Sequence, residues 1–349
     1  MNKQETFPFS EALLGRVVNS RGEPADNKGA LPNARQIPLD VKTTRQADDS
    51  AKRLLFEIGI KAVDLLAPLS RGGVTTLVGG EGVGKMVLVE ETMKRIASRH
   101  NGYTIYACMD DVSYEMTQPA ELIKDAHLEN TTVALYEVIG SDDAAGRARK
   151  LLRAALAVAR QFRAQGRYVL LVAELHQQVA QIPELFNEFR QGVQDLYVPA
   201  YWVKHEEPSA GTVEKQGFDG CIVFSKMLAQ QQIWPAIDPI RSTSHPLESN
   251  ATSAIHQQIA QQARNLLQNL HTPVASESQP TERARRLQRF FSQPFFVAEA
   301  FTGVPGEYVS LNETLHSVQG ILDGRYDDLP EEAFSFVGSI EQAIAKAGK

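Results

Sequence analysis

The chain has 349 residues, 43% of them hydrophobic and 22% charged, and a formal net charge of −6. That is a globular composition with length for about two domains, and it excludes a disordered or fibrous chain. The acidic balance removes a whole-chain footprint for nucleic acid, and two cysteines cannot build a disulfide framework, so a reducing, cytoplasmic setting is expected.

Residues 1–10 are polar, so no secretory signal is expected. No apolar run reaches about 18 residues, so no membrane insertion is expected. To about Arg53 the chain is rich in Pro, Gly, Asn and Asp and reads as extended strands and turns. Thr75–Val78 is a short apolar run that ends in glycines. Met86–Ala97 carries Val89, Met93 and Ile96 at helical spacing. Tyr103–Cys108 and Val133–Val138 read as strands. A helix is expected after Ser141, with Asp142 and Asp143 at its positive end. Tyr168–Val172 and Gly220–Phe224 read as buried strands. This alternation predicts an α/β fold with a parallel sheet covered on both faces. From Ser253 the pattern is helical, interrupted by HTPVASESQP and resuming through Glu341–Lys346.

Gly79-Gly80-Glu81-Gly82-Val83-Gly84-Lys85-Met86 follows a predicted strand and opens a predicted helix. It matches G-x-x-x-x-G-K, with Met where Ser or Thr is expected. Glycines let backbone N–H groups approach phosphate oxygens, the helix N-terminus favours anions, and Lys85 supplies a point charge. The competing reading is a glycine-rich turn without a ligand.

The run GIKAVDLLAPLSRGGVTTLVGGEGVGKMVLVEE resembles the beta subunit of the rotary ATP synthase catalytic head. So do IWPAIDPIRSTS, RARRLQRFFSQPFFVAEAFTG and GILDGRYDDLPEEAFSFVGSIEQAIAKA, and the similarity runs from about Leu14 to Lys346. The resemblance implies a RecA-type P-loop domain with a mainly parallel sheet, then a C-terminal helical domain, and ancestry in a hexameric ring. We expect an extended segment over 1–53 belonging to the nucleotide-binding domain, that domain over 54–244, and the helical domain over 245–349.

The resemblance makes Lys85 the P-loop lysine and puts Met86 where the family has a hydroxyl that ligates magnesium. The family's Gly-Glu-Arg strand end falls on Asp110-Asp111-Val112. Asp111 is then a candidate base one methylene short, and Val112 replaces a cation that would stabilise phosphoryl charge. The Walker-B strand and its Asp-Asn-x-x-Arg fall on VLLVAELHQQ, with Glu174, Leu175 and Gln178 at the Asp, Asn and Arg positions. Asp111 and Glu174 are thus the catalytic candidates. On the residues alone, Asp110 and Asp111 are equally well solvated acids at a strand end. Glu174 is either a metal-holding group or a satisfied surface acid, and Met86 a packed helix residue. The aromatics that sandwich adenine in the family match Trp234 and Phe301, whose competing reading is core aromatics.

No counterpart of the family's N-terminal β-barrel is expected ahead of Leu14. Roughly 25–30 residues are missing after the Walker-B strand, long against typical connections. HTPVASESQP replaces the acidic tip that pushes on the rotor, so torque transmission is not expected. WVKHEEP (202–208) replaces an acidic family loop and is a partner loop, a lid or a solvated loop. Arg283, Arg285, Arg286 and Arg289 read as a solvated basic helix face. Cys108 and Cys221 read as buried structural thiols. The scattered histidines indicate no zinc site.

Together these features predict a truncated, beta-like protein that binds ATP or ADP over Gly79, Gly80, Gly82, Val83, Gly84, Lys85 and Met86, with Trp234 and Phe301 at the base. Little magnesium dependence and no efficient hydrolysis are expected. Protein partners in an ATP synthase-like or other assembly, or a homo-oligomer, are implied. The rivals are a slow ATPase completed by a neighbouring subunit and a scaffold with a relic P-loop.

Overall fold

The computed structural model describes residues 5–40, 54–110, 119–140, 142–207, 217–249, 251–271 and 279–348. The strands are β1 (Thr6–Phe9), β2 (Val17–Val18), β3 (Arg35–Pro38), β4 (Leu55–Phe56), β5 (Leu69–Ser70), β6 (Val74–Val78), β7 (Tyr103–Asp110), β8 (Thr132–Val138), β9 (Val169–Leu175), β10 (Ala200–Lys204), β11 (Gly220–Val223) and β12 (Thr243–Ser244). The helices are α1 (Lys61–Leu66), α2 (Lys85–His100), α3 (Pro119–Asp125), α4 (Ala144–Ala164), α5 (Gln177–Ala180), α6 (Pro183–Leu196), α7 (Lys226–Gln230), α8 (His245–Glu248), α9 (Ala254–Gln268), α10 (Gln279–Phe290), α11 (Glu299–Thr302), α12 (Leu311–Leu322) and α13 (Ile340–Lys346).

The central sheet has the order β12-β11-β6-β10-β9-β7-β8-β2. Only β12 runs antiparallel to its neighbour. A parallel sheet must be covered on both faces, and successive side chains alternate between them. Tyr106, Cys108, Leu170, Val172, Tyr201 and Val203 join Leu88, Val89, Met93 and Ile96 of α2 in one core. Ile105, Ala107, Met109, Leu171, Ala173 and Trp202 join Leu151, Leu152, Ala155 and Phe162 of α4 in the other. α4 starts on the carboxylate of Asp143, which accepts from Gly146 N at 3.0 Å.

The C-terminal helices extend the core on the α2 side through Ile259, Ala263, Leu287, Phe290, Val318, Ile321 and Ile340. Polar groups stitch them to α1. Lys61 Nζ donates to the Val337 carbonyl at 2.6 Å, and Arg264 Nη2 to the Leu66 carbonyl at 2.6 Å. Among the described residues, no helix is long and apolar enough to cross a membrane.

Two sequence expectations are corrected here. The basic face of α10 is not simply solvated. Arg283 Nε meets Asp327 at 3.0 Å, Arg286 Nε donates to the Leu329 carbonyl at 2.9 Å, and Arg289 Nε meets Glu331 at 3.0 Å. These arginines clamp α10 onto the chain that follows α12, and of the four only Arg285 is exposed. Gln279 and Pro280, read as loop, open α10. Ser141 and residues 272–278 lie outside the described residues.

Candidate functional site

β6 ends at Val78 and α2 begins at Lys85, so residues 79–84 form the connection at the C-terminal end of an interior strand. Open α/β sheets bind ligands at such ends. Gly82 and Gly84 have φ of +70° and +85°, the left-handed region that disfavours a side chain. Packing closes around the loop as well. A β-carbon on Gly84 would lie 2.9 Å from Trp234 Cζ3, and one on Gly79 would lie 2.8 Å from Phe224 Cβ. A β-carbon on Gly80 would collide with the Glu207 carboxylate.

Lys85 is buried, and its ammonium donates to the Gly79 carbonyl at 2.5 Å and to the Gly80 carbonyl. Burial lowers its pKa to about 8, against the opposing pull of Glu174, Glu207 and Glu81.

An acidic cluster faces this lysine. Glu174, near the end of β9, is only 2% exposed. Tyr106 Oη from β7 donates to one of its oxygens, and His205 Nε2 lies 2.6 Å from the other. The parallel register makes this possible, because Glu174 stands opposite Cys108 of β7 and Val203 of β10. Burial, with Cys108 and Glu174 nearby, pushes the Tyr106 hydroxyl well up. Glu90 of α2 is pushed up to about 7, by burial first and then by Asp125 and Glu174.

The reading of Glu174 as a surface acid is therefore corrected: both oxygens are engaged inside the protein. Asp110 is also buried, so it is not a solvated acid. Asp111 and Val112 lie outside the described residues. Leu175 packs in the α4-side core, Gln178 is exposed on α5, and Met86 packs half-buried against the α2-side core. Cys108 and Cys221 are both buried. Burial pushes the Cys221 thiol up to about 12 against Lys204 and Arg241, and pushes the Cys108 thiol up further in the field of Glu174.

Trp234 is half-buried, with its ring under Gly84. Phe301, in α11, is 90% exposed and so is not a core aromatic. The P-loop helix places that segment: Glu91 accepts from Val297 N at 3.1 Å, two residues before α11.

Tyr106, Glu90, His205 and Glu207 were not singled out by sequence. The signal for the last two was WVKHEEP. Its described residues continue β10, the strand paired with both β6 and β9, which brings Glu207 beside Gly80.

Magnesium takes hard oxygen donors in near-octahedral geometry. Here Met86 offers a thioether, and the carboxylate oxygens of Glu174 are held by Tyr106 and His205. This donor set does not fit a magnesium ion shared between a loop hydroxyl and a strand-end carboxylate. The cradle itself fits an anion, with Lys85 as the cation.

Residues 59–185 match the model of the ATP synthase alpha/beta family, nucleotide-binding domain. The matched stretch contains the Gly79–Lys85 loop, Asp110 and Glu174, and its sheet is mainly parallel. That stretch is similar to the nucleotide-binding domain of the ATP synthase alpha/beta family. His205, Glu207, Trp234 and Phe301 lie beyond it.

Proposed function

We propose that the chain is a beta-like relative of the rotary ATP synthase head that binds adenine nucleotide and turns it over poorly. It acts as a structural or regulatory subunit of a protein assembly. The phosphates would lie over Gly79–Lys85 and the base between Trp234 and Phe301. One observation carries this reading: the phosphate loop is intact while the strand-end acid beside it, Glu174, is closed off by Tyr106 and His205. Phosphoryl transfer rests on positioning and charge stabilisation, so a cradle without that machinery holds nucleotide better than it cleaves it. The exposure of Phe301 supports a stacking role, because a purine stacks on either aromatic. Assembly partners follow from the family, whose members normally work in multi-subunit complexes.

The test is a titration with ATP and with ADP, with and without magnesium, read by tryptophan fluorescence. The chain has two tryptophans, and Trp202 is buried in β10, so Trp234 is the reporter. Saturable quenching that is lost in Trp234→Phe and changes little with magnesium is expected. No response up to millimolar nucleotide would overturn the adenine site.

Glu207 crowds Gly80 with negative charge where phosphate would enter. Glu207→Gln is therefore expected to tighten ATP binding about tenfold, or ~1.4 kcal/mol, by removing a like charge. Unchanged affinity in the same titration would place Glu207 outside the phosphate site.

A further inference from the structure

We propose that a second pocket, at the opposite part of the sheet's C-terminal edge, binds a small multivalent oxyanion of the phosphate type. The pocket has a volume of about 400 Å³ and is lined by Arg21, Glu137, Arg147, Arg149, Lys150 and Arg153, among others. That volume lies within the range of small-molecule sites. It sits where β8 ends and α4 begins, beside the turn that follows β2. β8 is four strand spacings from the P-loop strand, roughly 19 Å, so this is not the site described above.

The charges and donors of the lining are unevenly satisfied. Arg149 and Arg153 are already neutralised: both pair with Glu188, and Arg153 also meets Asp40 at 3.1 Å. Two of the three lining carboxylates hold a local turn or cap through one oxygen each. Glu137 accepts from Ser20 N at 3.0 Å and from the Ser20 hydroxyl, and Asp143 caps α4. The third, Glu5, is exposed. Arg21, Arg147 and Lys150 have no ion pair among the described residues, and Nε and Nη2 of Arg147 are buried without a hydrogen-bond partner. Buried donors of this kind are rare because leaving them unpaired is costly. Arg147 thus presents two buried donors without acceptors, beside Arg21 and Lys150, and the matching ligand is compact, rich in acceptors and negatively charged. Gly140 lets the guanidinium lie close, since a β-carbon there would be 2.7 Å from Arg147 Nη2.

The experiment is calorimetric titration of the full chain with inorganic pyrophosphate, in a Lys85→Ala background that silences the P-loop. Saturable binding is expected to persist in that background and to weaken at least tenfold in Arg147→Gln/Lys150→Gln. Should that pair unfold the chain, Gly140→Ala keeps every charge and displaces only the guanidinium, and it is expected to weaken binding severalfold. No saturable binding in the Lys85→Ala background would overturn the proposal. So would binding unchanged by these substitutions, or binding of hexaglutamate peptide but not pyrophosphate, which would mark a surface for acidic protein.

Discussion

Lys85→Ala is expected to weaken ATP binding about 100-fold, ~2.7 kcal/mol, the size of one or two hydrogen bonds to a charged group. The ammonium now rests on the Gly79 and Gly80 carbonyls, which is where it must sit to reach phosphate above the same loop. Burial already holds its pKa near 8, so the free protein keeps the charge at neutral pH only narrowly. Phosphate favours the charged amine and raises that pKa on binding. Affinity is therefore flat below about pH 8 and falls above it, by up to tenfold per pH unit, until the bound amine also titrates. The Lys85→Ala protein has no such slope. Titration across pH 7 to about 9.5 checks both parts, and affinity within threefold of wild type would contradict the assignment.

Arg95→Met is expected to destabilise the fold by about 3–5 kcal/mol, the cost of leaving a buried charge without its partner. Arg95 and Glu91 are both fully buried on α2 and pair at 2.6 Å. Arg95 also donates to the Gly59 carbonyl at 2.6 Å and to the Glu307 carbonyl at 2.7 Å. The other Glu91 oxygen accepts from Val297 N. One ion pair thus ties the P-loop helix to the chain before α1 and to the segment carrying Phe301. Urea unfolding measures the loss as a lower midpoint at constant slope. The double variant Glu91→Leu/Arg95→Met should recover part of it, because no lone charge is then buried. A single variant within 1 kcal/mol of wild type would contradict this role.

The strand, glycine loop and helix around Lys85 were legible because they are local: strand, glycines, lysine and helix follow one another in sequence. Central strands were legible for the same reason: Tyr103–Cys108 and Tyr168–Val172 read as strands from β-branched and apolar runs, and the strands observed are Tyr103–Asp110 and Val169–Leu175. The closure of Glu174 was not. Tyr106 and Glu174 come from two strands and His205 directly follows a third, and only the parallel register brings them together. Charged residues misled in a related way. Arg95 sits in an amphipathic helix where a cation ordinarily faces water, and its carbonyl partner at Glu307 is remote in sequence. Arg283 and Arg289 read as a solvated face for want of any local sign of Asp327 and Glu331.

The most direct test of binding without efficient turnover is a single-turnover chase. Labelled ATP is held by excess protein with magnesium, and phosphate release is followed for hours. Bound ATP is expected to be recovered intact, with phosphate released no faster than with Lys85→Ala. Magnesium-dependent release far above that rate, abolished by Lys85→Ala, would contradict it and make the chain an ATPase.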